Sequence, residues 1–251
     1  MSGRAVDVFF TPREIRPVEV AVVVDVLRAT STLAEALAAG YARVACCASV
    51  ATARELRAPG RVLAGERACV RVPDFELGNS PVAMATSPLG GEELVLATTN
   101  GSPAVVAAAR AADRVLVGCL LNLRAVLAAV PTEADVAIVC AGTNGRPALE
   151  DVYVAGRFVA ALGGVPSDAA RIAERVASGY GTPLEPLAAS EDAAHLRATG
   201  QEQDIAWCSR ESVLEIAPEV SSSRDGVSVV GPPRGETPYK AIPMRTPQEI
   251  A

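Results

Sequence analysis

The chain has 251 residues, 50% of them hydrophobic and 21% charged, with a formal net charge of −6. These proportions suit a folded chain with a sizeable core and exclude a mainly disordered one. The acidic balance, with no clustered Lys/Arg run, excludes a nucleic-acid groove but leaves room for a local cationic pocket.

Apolar, β-branched runs predict strands at 6–10 and 18–26, followed by a helical pattern at 31–40 that Gly40 closes. Strands at 42–48 and 61–66 flank a helix at 50–60. A strand at 93–99 leads into an Ala-rich helix at 102–112, then a strand at 114–118, a helix at 123–130 stopped by Pro131, and a strand at 135–142. From Pro147 the apolar positions Val152, Ala155, Gly156, Val159 and Ala160 recur at helical spacing. Beyond Gly164 the pattern is helical at 167–179 and 191–208, with a late strand at 226–231.

Alternating strands and helices, with runs too apolar for a one-faced sheet, predict a three-layer αβα sandwich around a largely parallel or mixed sheet. One domain is expected over 1–230, its second half packing on the sheet, with a Pro-rich tail at 231–251. The six cysteines, at 46, 47, 69, 119, 140 and 208, show no CxxC or zinc-like spacing and read as reduced, buried thiols. The start lacks a signal-peptide core and no long uncharged apolar stretch follows, so a cytoplasmic protein without a membrane partner is expected.

In open α/β sheets ligands bind beyond the carboxyl ends of strands. Asp25 interrupts the valine-rich run of the second strand, where an ionised carboxylate must be paired, hydrogen-bonded or metal-bound; a plain ion pair with Arg28 is the bland alternative. Arg28, Thr30, Ser31 and Thr32 bring a guanidinium and three hydroxyls to a helix start, or form no more than a cap. Glu66 and Arg67 follow the next strand and on their own read as a surface pair; Asn79 and Ser80 sit in ELGNSP, which reads equally as a turn.

Thr-Asn-Gly-x-Pro-Ala occurs twice, at 99–104 and 143–148, each time after a strand and before a helix. Asn-Gly turns the backbone through positive φ and Pro suits a helix start, so each copy is expected to aim free amides and a helix dipole at an anion, a plain turn being the alternative. The first copy brings Thr98, Thr99, Asn100, Gly101 and Ser102; the second brings Gly142, Thr143 and Arg146 with Glu150 and Asp151, of which one at most should face a shared ligand. If both loops sit at one rim, the first holds substrate and the second joins substrate to a cation. His195, the only histidine, has no ligand-spaced neighbour. Walker, GxGxxG and GxSxG patterns are absent.

Together VVVDVLRATST, GER, LGNSP, TTNG and CAGTNGRPALED resemble, in order, the 2-phosphosulfolactate phosphatase family, over about residues 5 to 230. The resemblance implies a Mg²⁺-dependent phosphatase converting 2-phospho-3-sulfolactate to 3-sulfolactate and phosphate, a step of coenzyme M synthesis. It carries over Asp25, Arg28, Thr30, Ser31, Thr32, Glu66, Asn79, Ser80, Thr99, Asn100, Gly101, Glu150 and Asp151 as shared polar positions. The stretch around His195 and the segment after GER depart from the family pattern, which loosens the substrate more than the reaction class. Asp25, Glu66, Glu150 and Asp151 are the expected metal set, with Asp25 paired to Glu66 or Asp151. Arg28 is expected to neutralise developing charge, and a metal-activated water to attack, attack by Asp25 itself being the runner-up. A phosphorylated small acid is the expected partner; a homodimer, a different phosphorylated carboxylic acid and a non-catalytic anion-binding role stay open.

Overall fold

The structure, a computed structural model, describes residues 3–86, 93–233 and 239. Its strands are β1 (Ala5–Phe9), β2 (Val18–Val24), β3 (Arg43–Cys47), β4 (Arg61–Arg67), β5 (Val70–Arg71), β6 (Glu93–Ala97), β7 (Ala112–Gly118), β8 (Val136–Cys140), β9 (Val165–Pro166), β10 (Glu219–Arg224) and β11 (Val227–Gly231). The helices are α1 (Ala29–Ala38), α2 (Val50–Glu55), α3 (Pro81–Thr86), α4 (Gly101–Ala108), α5 (Leu123–Ala129), α6 (Leu149–Leu162), α7 (Asp168–Ser178), α8 (Leu184–Ala189), α9 (Glu191–Ala198) and α10 (Gln203–Cys208). A 3₁₀ turn spans Pro12–Glu14.

The strands form one mixed sheet in the order β5-β4-β6-β3-β11-β10-β7-β2-β8-β1-β9, with helices packed against it as the αβα sandwich that the alternating pattern predicts. β8 is buried along its whole length and β2 from Val20 onward, which is why both read as unbroken apolar runs. Two departures from expectation stand out. The long helix predicted at 191–208 is broken into α9 and α10 at Gly200, whose φ is +69°. The late strand is half of a hairpin, β10–β11, inserted between the β4-β6-β3 and β7-β2-β8-β1 blocks and antiparallel to both. Most of the tail expected at 231–251 lies outside the described residues.

The hairpin makes the two blocks run in opposite directions, so a flat sheet would put the carboxyl ends of β6 and β2 on opposite rims. Adjacent strands rotate by about 20–25°, and five steps from β6 to β2 accumulate roughly 100–125°. That rotation is enough to swing the two rims toward each other. Helix α4, which packs against β3, β2, β8 and β7, fills the space between the blocks.

No helix among the described residues is long and apolar enough to cross a membrane. All six cysteines are free; burial pushes the thiols of Cys47 and Cys119 up to about 12 and those of Cys46, Cys140 and Cys208 well above their ordinary range.

Candidate active site

The carboxyl ends of β2, β4, β6 and β8 meet at a cavity of about 400 Å³. Its walls are Asp25 and Arg28 after β2, Glu66 and Cys69 around the end of β4, Asn79, Thr98–Asn100 after β6, Thr143 and Asn144 after β8, and Asp192, His195 and Thr199 from α9 and its C-terminus. The two Thr-Asn-Gly loops touch directly: the Asn144 N–H donates to Asn100 Oδ1 at 3.3 Å.

Asp25 is buried, and its Oδ1 accepts the Ala29 N–H at 3.0 Å. Its main chain is pinned by Thr30, whose Oγ1 accepts the Asp25 N–H at 3.1 Å and donates to the Asp25 carbonyl at 2.9 Å. The other carboxylate oxygen, Oδ2, lies against Gly101 at the start of α4: a Cβ there would stand 2.4 Å from it and 2.4 Å from Ala29 Cβ. Glycine is therefore required by proximity. Burial, reinforced by the charges of Asp192 and Glu66, pushes the Asp25 carboxyl up to about 7 against the pull of the Ala29 amide and Arg28. A Gly101→Ala variant should lose about 1–3 kcal/mol in a denaturant titration, and the displaced carboxylate should cost up to about 10²-fold in kcat/KM.

The first loop is organised by Glu66, whose Oε1 accepts the Thr99 N–H at 2.7 Å and whose Oε2 accepts Thr99 Oγ1 at 3.1 Å and the Cys69 N–H at 2.9 Å. Thr98 and Ser102 bond each other: the Ser102 N–H donates to Thr98 Oγ1 at 2.9 Å and the Thr98 N–H to Ser102 Oγ at 3.2 Å. Asn100 caps α4 with a φ of −118°, so this copy enters its helix without the positive-φ turn expected of it.

The second copy is a closed turn. Asn144 and Gly145 have φ of +54° and +74°, and Thr143 and Arg146 exchange both backbone hydrogen bonds, the pattern of a tight two-residue reversal. Helix α6 begins only at Leu149. The same letters thus take two backbone forms, because Thr143 pairs across the turn whereas Thr98 is tied to the helix through Ser102.

Other expected residues are placed differently from a ligand shell. Ser31 Oγ donates to the Val26 carbonyl at 2.9 Å, Thr30 serves the Asp25 main chain, and Thr32 is fully buried; none lines the cavity. Arg67 is exposed and spends its guanidinium on the Glu66 and Ala97 carbonyls. Asp151 accepts the Val26 N–H at 2.9 Å and the Gly142 N–H at 3.0 Å, one on each oxygen, and so clamps the β2 and β8 ends from behind the cavity. Glu150 is buried facing a neighbouring hollow, where burial, Asp151 and Asp192 push its carboxyl up to about 10. Neither of these two carboxylates lines the cavity with Asp25 and Glu66.

Arg28 lies in the cavity wall but is committed: it donates to Asp204 Oδ2 at 2.6 Å, both side chains almost completely buried, and to Gln201 Oε1 at 2.5 Å. The Asp25–Arg28 pair weighed from the sequence is thus replaced by an Arg28–Asp204 pair. Ser80 joins it, donating to Asp204 Oδ1 at 2.7 Å. Gln201 also donates to the Cys69 carbonyl at 2.8 Å. Together these contacts hold the α9–α10 segment over the cavity.

Sequence reasoning missed Asp192, Gln201 and Asp204. Asp192 accepts Thr143 Oγ1 at 2.6 Å and stands 3.7 Å from His195 Nδ1, and both side chains face the cavity. In SEDAAH the acid reads as an ordinary helix-start residue, and Ser190 is indeed the cap, accepting the Ala193 N–H at 3.1 Å.

A family model described as 2-phosphosulpholactate phosphatase matches residues 9–223. A protein of Thermus thermophilus named probable 2-phosphosulfolactate phosphatase is 40% identical over 198 residues, covering 76% of this chain and 84% of that relative. One of Deinococcus radiodurans with the same name is 38% identical over 216 residues, covering 82% and 90%. A third, of Pseudothermotoga lettingae, is 36% identical over 215 residues, covering 85% and 94%. With most of its length matched and its strand ends gathered at one polar cavity, the chain belongs to the 2-phosphosulpholactate phosphatase family of phosphoric monoester hydrolases.

Proposed function

We propose that the chain hydrolyses a small phosphorylated acid with the aid of Mg²⁺, and that the acid is 2-phospho-3-sulfolactate, which would place it in coenzyme M synthesis. The observation that carries this reading is Asp25: a carboxylate buried at a cavity, one oxygen fixed by an amide and the other free of hydrogen bonds among the described residues.

The donor set supports a hard cation. Asp25 and Glu66 share the cavity with Asn79, whose buried Oδ1 has no hydrogen-bond partner among the described residues. Among the described residues no three His, Cys, Asp or Glu side chains gather into a complete cage. Mg²⁺ does not require one, since it takes one or two carboxylates and completes its shell with waters and phosphate oxygens. Asp25 and Glu66 would hold it, with Asn79 beside them; Asp151 would act by clamping the two strand ends. Mg²⁺ supplies charge neutralisation of the phosphoryl group and acidification of a neighbouring water.

The chain's own part is to position. The amides at the start of α4 would face anionic oxygens, and the helix dipole favours them there. Arg28, already neutralised by Asp204, adds hydrogen-bond donors to the wall more than net charge. The test is phosphate release from phosphosulfolactate, phospholactate and phosphoglycolate with Mg²⁺ and then with EDTA. Mg²⁺-dependent release, fastest for phosphosulfolactate, is expected. Tight anion binding with no turnover across that panel would overturn the reading in favour of a binding protein.

A further inference from the structure

We propose that His195, oriented by Asp192, is the acid that protonates the leaving oxygen of the phosphate ester; this rests on the phosphatase reading above. Three observations carry it. His195 lines the cavity from α9, and Asp25 and Glu66 line it from the strand ends. Its Nδ1 is 3.7 Å from Asp192 Oδ1, while Asp192 Oδ2 is fixed at 2.6 Å by the hydroxyl of Thr143 in the second Thr-Asn-Gly turn. The side chain is 61% exposed, so it can exchange protons with solvent between turnovers.

An acid–base histidine is ordinarily oriented by a carboxylate beside one ring nitrogen, which leaves the other for the reacting atoms, and Asp192 stands in that place. The other charged and titratable groups facing the cavity are Asp25, Glu66, Arg28 and Cys69. Arg28 is bound to Asp204, and the two carboxylates stand at the strand ends, Asp25 against the start of α4. Burial pushes the Cys69 thiol up, which makes it a poor acid, and leaves the imidazole as the group placed to give a proton from the α9 side.

The step balances. Water oxygen forms a bond to phosphorus, and the bond from phosphorus to the ester oxygen breaks with its electron pair going to that oxygen. The ester oxygen takes the proton from His195 Nε2 and leaves as an alcohol. The attacking water loses one proton to solvent, from which the imidazole is recharged.

Leaving groups separate this role from a structural one. Phospholactate leaves as an alkoxide and needs the proton, whereas p-nitrophenyl phosphate leaves as a stable phenolate and does not. His195→Gln should slow kcat for phospholactate by about 10²–10⁴-fold, change p-nitrophenyl phosphate hydrolysis less than about threefold, and erase the alkaline limb of the wild-type kcat profile. Asp192→Asn, which keeps an acceptor for Thr143, should lower phospholactate turnover less than His195→Gln and likewise spare the nitrophenyl ester. Equal slowing of both esters, no slowing of either, or an alkaline limb that survives in His195→Gln would overturn the proposal while leaving the phosphatase intact. A wild-type protein that releases phosphate from neither of these esters nor from phosphosulfolactate, with Mg²⁺ present, refutes both.

Discussion

Asp25→Asn is expected to lower kcat/KM for any phosphate ester by at least about 10³-fold while making the metal-free protein more stable at neutral and alkaline pH. The two effects share a cause. Burial and the charges of Asp192 and Glu66 raise the Asp25 carboxyl from an ordinary 3.8 to about 7. A carboxyl whose folded value lies above its unfolded one contributes its full stability only below about pH 4 and loses it as pH rises through 7. At pH 8 the ionised aspartate therefore works against folding by a few kcal/mol, on the order of 1.4 kcal/mol for each tenfold change in proton affinity. Asparagine carries no charge and should recover most of that. Denaturant titrations in EDTA should show a gain at pH 8 that shrinks toward pH 4, alongside a phosphate-release assay at background. Loss of stability at pH 8, or wild-type turnover, would remove Asp25 from the centre of the mechanism. A residue that costs stability where it is active is what a functional rather than structural carboxylate looks like.

Breaking the Arg28–Asp204 pair should give a larger loss of stability than any other polar change proposed above. Both side chains are almost fully inaccessible, so Asp204→Ala leaves a guanidinium buried without its counter-charge and also removes the acceptor of the Ser80 hydroxyl. The expected cost is about 3–5 kcal/mol, or roughly 6–20 °C in Tm for a chain of this size. Arg28→Met combined with Asp204→Leu should recover a good part of the loss, because two apolar groups of similar volume remove the unpaired charge. Activity should not return with stability: the double variant lacks the bonds from Arg28 to Asp204 and Gln201 that hold α9, Asp192 and His195 over the cavity. A thermal melt read beside a phosphate-release assay separates the two, and recovery of both together would contradict the positioning role given to the pair.

What could be read from the sequence was whatever is local. The valine run of β2 and the polar residues after each strand depend on nearest neighbours and periodicity, and Asp25, Glu66, Thr98, Thr99, Asn100 and Thr143 do meet at one cavity. Arg28 was legible as a buried-site cation, but its partner lies 176 residues away, and no local pattern marks such a pair. Asp192 was hidden because an acid in a helix's first turn satisfies the dipole by itself, and without it the lone His195 had no visible partner. Strand β10 was missed for another reason: EVSSSR is mostly exposed and pairs with β7 only at Glu219, so it has no apolar alternation to display. The doubled Thr-Asn-Gly was read as one device used twice, and its divergence came from contacts beyond the motif, Ser102 in one copy and Arg146 in the other.

The inserted hairpin has a consequence in time. Ribosomes deliver the amino end first, so β1 to β8, and with them every strand end that borders the cavity, have emerged before residues 219–231 exist. Each parallel block can begin to pair on its own, yet β3 and β7 have no direct ladder between them, and the seam stays open until β10–β11 fills it. Contacts of such long sequence separation form late, after the loop-closure entropy has been met. Assembly of the catalytic rim is thereby coupled to the synthesis of residues 219–231, and a nascent chain stalled before residue 219 would carry the cavity's strand-end residues without the geometry that makes them a site.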